Sequence, residues 1–78
     1  MTHARGWALF DTALGPCGIC WGQQALSGMQ LPEGGPHAGR DRMQRRFPGV
    51  AELAPPHWVA QIQARVQALL SGQADSLL

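Results

Sequence analysis

The sequence predicts a small α+β domain in which a three-stranded antiparallel meander is followed by two helices. Three short apolar segments come first, separated by turn-forming residues, and an amphipathic helical pattern lies near the end of the chain. A chain of 78 residues is long enough for one domain, and a domain of that size has a marginal core. We therefore expect a flexible N-terminus at residues 1–5 and a single domain over residues 6–78.

The three strands are expected at residues 6–12, 17–22 and 25–31. In the first strand, Trp7 and Leu9 point to one face of the sheet, while Ala8 and Phe10 point to the other. Because the first two strands carry apolar residues on both faces, we expect the sheet to be covered on both sides. The second helix would cover one side, and a domain outside this chain would cover the other. Without that domain, the second side would be an exposed apolar patch.

The two helices are expected at residues 39–47 and 56–71, with the Pro- and Gly-rich segment PEGGPHAG before the first. In the first helix, Met43 and Phe47 form an apolar i, i+4 pair. Gly72 is expected to stop the second helix. That helix carries one apolar stripe, formed by Val59, Ile62, Val66 and Leu69.

Four arginines cluster in the segment GRDRMQRRF, at positions 40, 42, 45 and 46. The formal net charge of the whole chain is only +1, which is not a general signature of nucleic-acid binding. Such a cluster is most often a solvated helix face. The alternative is a contact with DNA phosphates or a protein partner, for which the candidates are Arg42, Arg45 and Arg46.

Both cysteines of the chain lie in the second predicted strand, as CGIC. Residues i and i+3 of a strand face opposite sides, so Cys17 and Cys20 would not meet. A redox pair normally lies at a helix N-terminus, and a structural zinc site needs four ligands. The three histidines, at positions 3, 37 and 57, are too scattered to supply them. Buried core residues are therefore favoured, with a thiol or metal site at Cys17 and Cys20 as the alternative.

No other arrangement of residues in the sequence indicates catalysis. The serines lack a nucleophile motif, the glycines match no phosphate-binding spacing, and Asp11 is typical of a turn. We therefore expect no catalytic residue, cofactor or metal in this chain. With two cysteines, no secretory leader pattern and no long apolar segment, the expected setting is the cytoplasm rather than a membrane.

Three stretches, taken in order, carry a resemblance to a known family: FDTALGPCGICWGQQALSGMQLPE, RMQRRFPG and VQALLSGQAD. Together they resemble the N-terminal domain of the methylated-DNA–protein-cysteine methyltransferases, the alkylguanine-DNA alkyltransferases. Members open with a strand that ends in Asp-Thr-Pro-(Leu/Ile)-Gly. Here Asp-Thr-Ala-Leu-Gly stands at residues 11–15, with Ala13 in place of the usual proline. The resemblance extends from about Gly6 to Asp75.

The resemblance implies a ribonuclease H-like N-terminal domain that supports a catalytic C-terminal domain. In that second domain, a helix-turn-helix binds DNA and an alkylated guanine is flipped out. A cysteine in a Pro-Cys-His-Arg motif then takes the alkyl group irreversibly onto its sulfur. This chain contains no Pro-Cys-His-Arg motif, so the acceptor role cannot be assigned to Cys17 or Cys20. The implied partners are the catalytic domain, in cis or in trans, and DNA through that domain.

Some members of the family bind zinc in the N-terminal domain. The aligned ligand positions here are Gly22 and Ser27, and neither side chain is a zinc ligand, so no metal is expected. A second hypothesis from the sequence is a stand-alone interaction module with the same fold, which would bind a partner through the arginine helix or an apolar sheet face. The third is a small thiol or metal protein that uses Cys17 and Cys20.

Overall fold

The computed structural model describes residues 4–32 and 36–76, which form a three-stranded antiparallel sheet and two helices. The predicted α+β class is confirmed. The elements are β1 (Gly6–Thr12), β2 (Gly15–Trp21), β3 (Leu26–Gln30), α1 (Pro36–Arg46) and α2 (His57–Ser76). The helix α1 therefore begins three residues before the predicted start, with a proline at its first position, where a missing N–H costs nothing.

The strands β1 and β2 form a regular hairpin, in which Trp7 lies opposite Cys20 and Thr12 lies opposite Gly15. Gly15 has a φ of 121°, a conformation that side chains other than hydrogen rarely permit. The Thr12 hydroxyl closes the turn: its Oγ1 donates to the carbonyl of Gly15 at 2.6 Å and accepts from the N–H of Leu14 at 3.2 Å. The segment Asp-Thr-Ala-Leu-Gly is thus the turn between the first two strands.

The third strand is shorter than predicted and its pairing with β2 is irregular. Ile19 lies opposite Met29 and Cys20 opposite Gly28, but a bulge interrupts the register between Cys20 and Trp21. The predicted strand ends Ala25 and Leu31 lie outside β3 and are exposed.

The two helices cover opposite faces of the sheet. One core cluster joins α2 to the face of β1 and β2 that carries Ala8, Phe10, Cys17, Ile19 and Trp21. The other joins α1 to the face that carries Trp7 and Cys20. The expectation that a domain outside this chain would cover the second face was wrong, because Met43 and Phe47 cover it from within the chain.

Two glycines let α1 approach the sheet closely. A Cβ atom at Gly18 would lie 2.7 Å from the sulfur of Met43, and one at Gly28 would lie 2.7 Å from Cζ of Phe47. Both distances are far below van der Waals contact. The predicted apolar pair of α1, Met43 and Phe47, therefore packs directly against the backbone of β2 and β3 at these two glycines.

The segment that joins the helices lies along the outer edge of β1. The N–H of Trp7 donates to the carbonyl of Ala51 at 3.1 Å, and the N–H of Leu53 donates to the carbonyl of Trp7 at 3.0 Å. The indole Nε1 of Trp7 also donates to the carbonyl of Val50 at 2.9 Å. Through these three bonds, Trp7 fixes the connection between α1 and α2 to the sheet.

The apolar stripe of α2 differs from the predicted one at its C-terminal end. Val59, Ile62 and Val66 pack against the sheet as expected, but the fourth member is Leu70. Leu69 is 65% exposed, whereas Leu70 is 7% exposed. The helix also continues through Gly72 to Ser76, so Gly72 does not stop it. Around a helix with 3.6 residues per turn, Leu69 and Leu70 lie about equally far from the middle of this stripe, so the packing of α2 against the sheet, and not the helical period, selects Leu70.

The N-terminal segment is attached to the sheet at its last two residues. Residues 1–3 of the predicted flexible N-terminus lie outside the described residues. The N–H of Arg5 donates to the carbonyl of Trp21 at 2.7 Å, and Ala4 packs against the cluster on the α1 face.

Among the helices described, neither has the length and apolar character needed to cross a membrane.

Candidate functional site

Two of the arginines of α1 lie together along the outer edge of β3. Nη2 of Arg42 donates to the carbonyl of Leu31 at 3.1 Å, and Nη1 of Arg46 donates to the carbonyl of Met29 at 3.3 Å. Arg42 and Arg46 are four residues apart, so they lie on the same face of α1. The helix thus presents both guanidinium groups to the sheet edge.

Arg46 also contacts an aromatic ring, since its guanidinium carbon lies 5.1 Å from the centre of the Phe47 ring. This distance is within the range of a cation–π contact. The buried Gln30 anchors the start of the same helix, because its Nε2 donates to the carbonyl of Gly39 at 3.1 Å. Together these bonds fix α1 in position beside β3.

A shallow groove of about 570 Å³ runs between the helix and the end of β3. It is lined by Gln30, Leu31, Pro32, Arg42 and Arg46. Guanidinium groups beside an open groove can bind carboxylate or phosphate oxygens. The groove contains no nucleophile and no general base among these lining residues, so its chemistry is that of binding.

The third candidate, Arg45, lies apart from this groove. It borders a separate surface depression together with Asp41 and Gln44, and its side chain is exposed. The structure therefore brings together Arg42 and Arg46 but not Arg45. Adjacent residues of a helix are about 100° apart around the axis, which follows from 3.6 residues per turn.

The remaining arginine of the cluster, Arg40, forms a salt bridge with Glu52. Its Nη2 lies 2.6 Å from Oε2, and its Nε donates to Oε1 at 3.1 Å. The hydrogen bond and charge of Arg40 lower the pKa of the Glu52 carboxyl, and the same bond raises the pKa of Arg40. Both side chains are exposed, so this pair contributes little stability. It links α1 to the segment that pairs with β1.

The cysteines are buried on opposite faces of the sheet. Cys17 belongs to the cluster under α2 and Cys20 to the cluster under α1, and both are free thiols with no exposed surface. Burial raises the pKa of the Cys20 thiol, against smaller opposing effects of a backbone hydrogen bond and Arg46. A buried thiol with a raised pKa is a poor nucleophile. The arrangement favours a packing role for both residues.

In the described part of the chain, no three His, Cys, Asp or Glu side chains come together in a group that could hold a metal ion. His57 is exposed at the start of α2. The side chains of His3 and His37 lie outside the described part. Asp11, the turn residue, is exposed, and its carbonyl accepts from Nε2 of Gln67 at 2.7 Å.

The sequence predicts the arginines as candidate contact residues, but it does not identify the groups that accept their hydrogen bonds. Gln30, Leu31 and Glu52 were not singled out, although each is a partner of α1. A buried glutamine in an apolar strand is a detectable signal, because burial of an amide requires a hydrogen-bond partner. No comparable signal marks the carbonyl of Leu31, since every residue has one.

No protein-family model, curated protein or solved structure matches this chain. The likeness to the alkyltransferases therefore depends on the quoted stretches of sequence and on their order along the chain.

Proposed function

We propose that this chain is the N-terminal structural domain of a methylated-DNA–protein-cysteine methyltransferase. The observation that carries the proposal is the order of three sequence stretches. The first comprises the end of β1, the Thr12–Gly15 turn, β2 and β3, the second the apolar face and end of α1, and the third the second half of α2. Each stretch resembles the corresponding part of that family.

In this role the domain supports the chemistry without performing it. The two thiols are buried on opposite faces, where an alkyl group in DNA cannot reach them, and burial also raises the pKa of the Cys20 thiol. The acceptor would lie in a catalytic domain, in cis or in trans, that carries a Pro-Cys-His-Arg motif and binds DNA. A chain with only two cysteines does not have the composition of a secreted disulfide scaffold, and we propose the cytoplasm as its compartment.

Any direct DNA contact from this domain would involve Arg45 first. Arg42 and Arg46 each donate to a carbonyl of the β3 edge, whereas Arg45 is exposed on another side of α1. In a protein that also has its catalytic domain, Arg45→Ala should reduce the salt dependence of DNA binding, because one phosphate contact is lost. An unchanged slope would mean that Arg45 is solvated surface.

The experiment that tests the proposal is recovery of the endogenous protein from its source cells with an antibody against this region. We expect either a species about twice as heavy as this chain or a complex with a separate protein that carries Pro-Cys-His-Arg. Incubation with DNA that contains radiolabelled methylguanine should transfer the label to a cysteine of that second part. The isolated chain of 78 residues is the control and should take up no label.

A different result would support the stand-alone interaction module. Recovery of a species with the mass of this chain, without a methyl acceptor and bound to an unrelated protein, would overturn the alkyltransferase proposal. Uptake of label by the isolated chain would contradict the purely structural role, since it would require a reactive Cys17 or Cys20.

A further inference from the structure

The two outer edges of the sheet differ in whether their backbone groups are paired with another segment of the chain. The edge of β1 is covered by residues 51–53, which bond to both backbone groups of Trp7. The sheet order is β1-β2-β3, so β3 is the other edge, and no strand in the described residues pairs with its outer side. An unpaired edge strand is a template on which another strand can form hydrogen bonds.

The backbone groups that face outward from β3 can be assigned. The carbonyls of Met29 and Leu31 reach the arginines of α1, so they point away from β2. In an extended strand, the N–H and C=O of one residue point to the same side, and alternate residues share that side. The N–H of Met29 therefore faces outward as well, and the N–H of Leu31 would do so if the strand continued by one residue.

This edge is self-complementary. In an antiparallel pair of two copies related by a two-fold axis, with each β3 strand extended by one residue, Met29 of one copy would lie opposite Leu31 of the other. Each such pair exchanges both of its hydrogen bonds. In a strand extended by one residue, the side chains of Met29 and Leu31 would lie on one face, so the same register would also bring apolar groups together. Leu31 is 61% exposed and available for this contact.

We propose that Arg42 and Arg46 close the β3 edge against strand pairing with a second copy of this chain. Their guanidinium groups occupy the two carbonyls that a second strand would use as acceptors. They also bring two positive charges to the edge of each copy, and like charges facing each other oppose pairing. Arg42 and Arg46 thereby keep the protein monomeric, independently of any role in DNA repair.

The test is the oligomeric state of the variant Arg42→Ala with Arg46→Ala, measured by sedimentation velocity over a range of concentrations. The wild type should be monomeric. The double variant should form a dimer, with an association constant raised roughly tenfold or more, because two acceptors on each copy are released. A folded double variant that stays monomeric would overturn the proposal.

A matched control separates this effect from a change in net charge. Arg45→Ala with Arg65→Ala removes the same number of charges from exposed positions outside the β3 edge, and this variant should stay monomeric. Dimer formation by the control to the same extent would also overturn the proposal, since charge alone would then explain it.

A third variant tests whether the dimer forms through the β3 edge. Leu31→Pro, added to the double variant, removes an outward N–H and should restore the monomer. A dimer that persists would place the contact elsewhere and refute the proposal.

If the double variant does not fold, the single variants Arg42→Ala and Arg46→Ala each release one acceptor and should dimerise more weakly. Two folded, monomeric single variants would then decide against it.

Discussion

At the scale of single residues, the two sheet glycines set the distance between α1 and the sheet. Gly18 and Gly28 receive Met43 and Phe47, which are both buried. A methyl group at either position would lie where a side chain of α1 now lies. Interiors are packed closely enough that even one additional carbon is felt.

We predict that Gly18→Ala lowers the free energy of unfolding by about 1–3 kcal/mol, because Met43 must move from its present position. Urea unfolding followed by tryptophan fluorescence would measure the change. Gly72→Ala is the control: an added Cβ there meets nothing within 4 Å and lies inside α2. It should raise the free energy by up to about 1 kcal/mol. Equal effects of the two substitutions would contradict this account of the α1 contact.

At the scale of elements, α2 is fixed to the sheet by a stripe that ends at Leu70. The neighbouring Leu69 has similar chemistry but faces solvent. Because the two leucines are adjacent in one helix, they share nearly the same helix propensity and differ mainly in burial. This pair therefore isolates the contribution of packing to the attachment of α2.

Leu70→Ala should lower the free energy of unfolding by about 2–5 kcal/mol, the usual cost of truncating a buried leucine. Leu69→Ala should change it by less than about 0.5 kcal/mol, as expected of an exposed position. Thermal and urea unfolding of both variants would measure the difference. If the two substitutions had the same effect, the assignment of Leu70 to the core would be incorrect.

At the scale of the whole molecule, the sheet is a layer with a helix on each face. Residues from α1 and α2 bury both sides of β1 and β2, and the large apolar side chains left exposed belong to leucines in different elements and loops: Leu14, Leu26, Leu31, Leu53 and Leu69. Isolated exposed apolar residues are normal on a protein surface. The described residues therefore do not require a second domain to cover the sheet.

Accordingly, the isolated native chain should bind little of an apolar fluorescent dye such as anilinonaphthalene sulfonate. Met43→Asp should increase dye fluorescence several-fold, because a charge in the buried α1 contact displaces the helix from the sheet. Gln44→Asp, at the next and exposed position, is the control and should change nothing. Strong dye binding by the wild type would instead indicate an uncovered face.

The sequence by itself determined the order of the elements, the alternation of side chains in β1 and β2, and the opposite orientations of Cys17 and Cys20. These features follow from local periodicity, which the chain carries in its residue types. The sequence did not predict where α2 ends or that Leu70 is buried in place of Leu69, because tertiary packing decides how far a helix extends and which side chains it buries.

Only the tertiary structure decided which helix covers each face and what the arginines contact. The acceptors of Arg42 and Arg46 are backbone carbonyls of β3, and a carbonyl has no signature in the sequence. The need for glycine at positions 18 and 28 is visible only in the structure, because side chains of α1 lie directly over both residues. Such contacts join residues far apart along the chain, so they exist only once the sheet and helices have packed together.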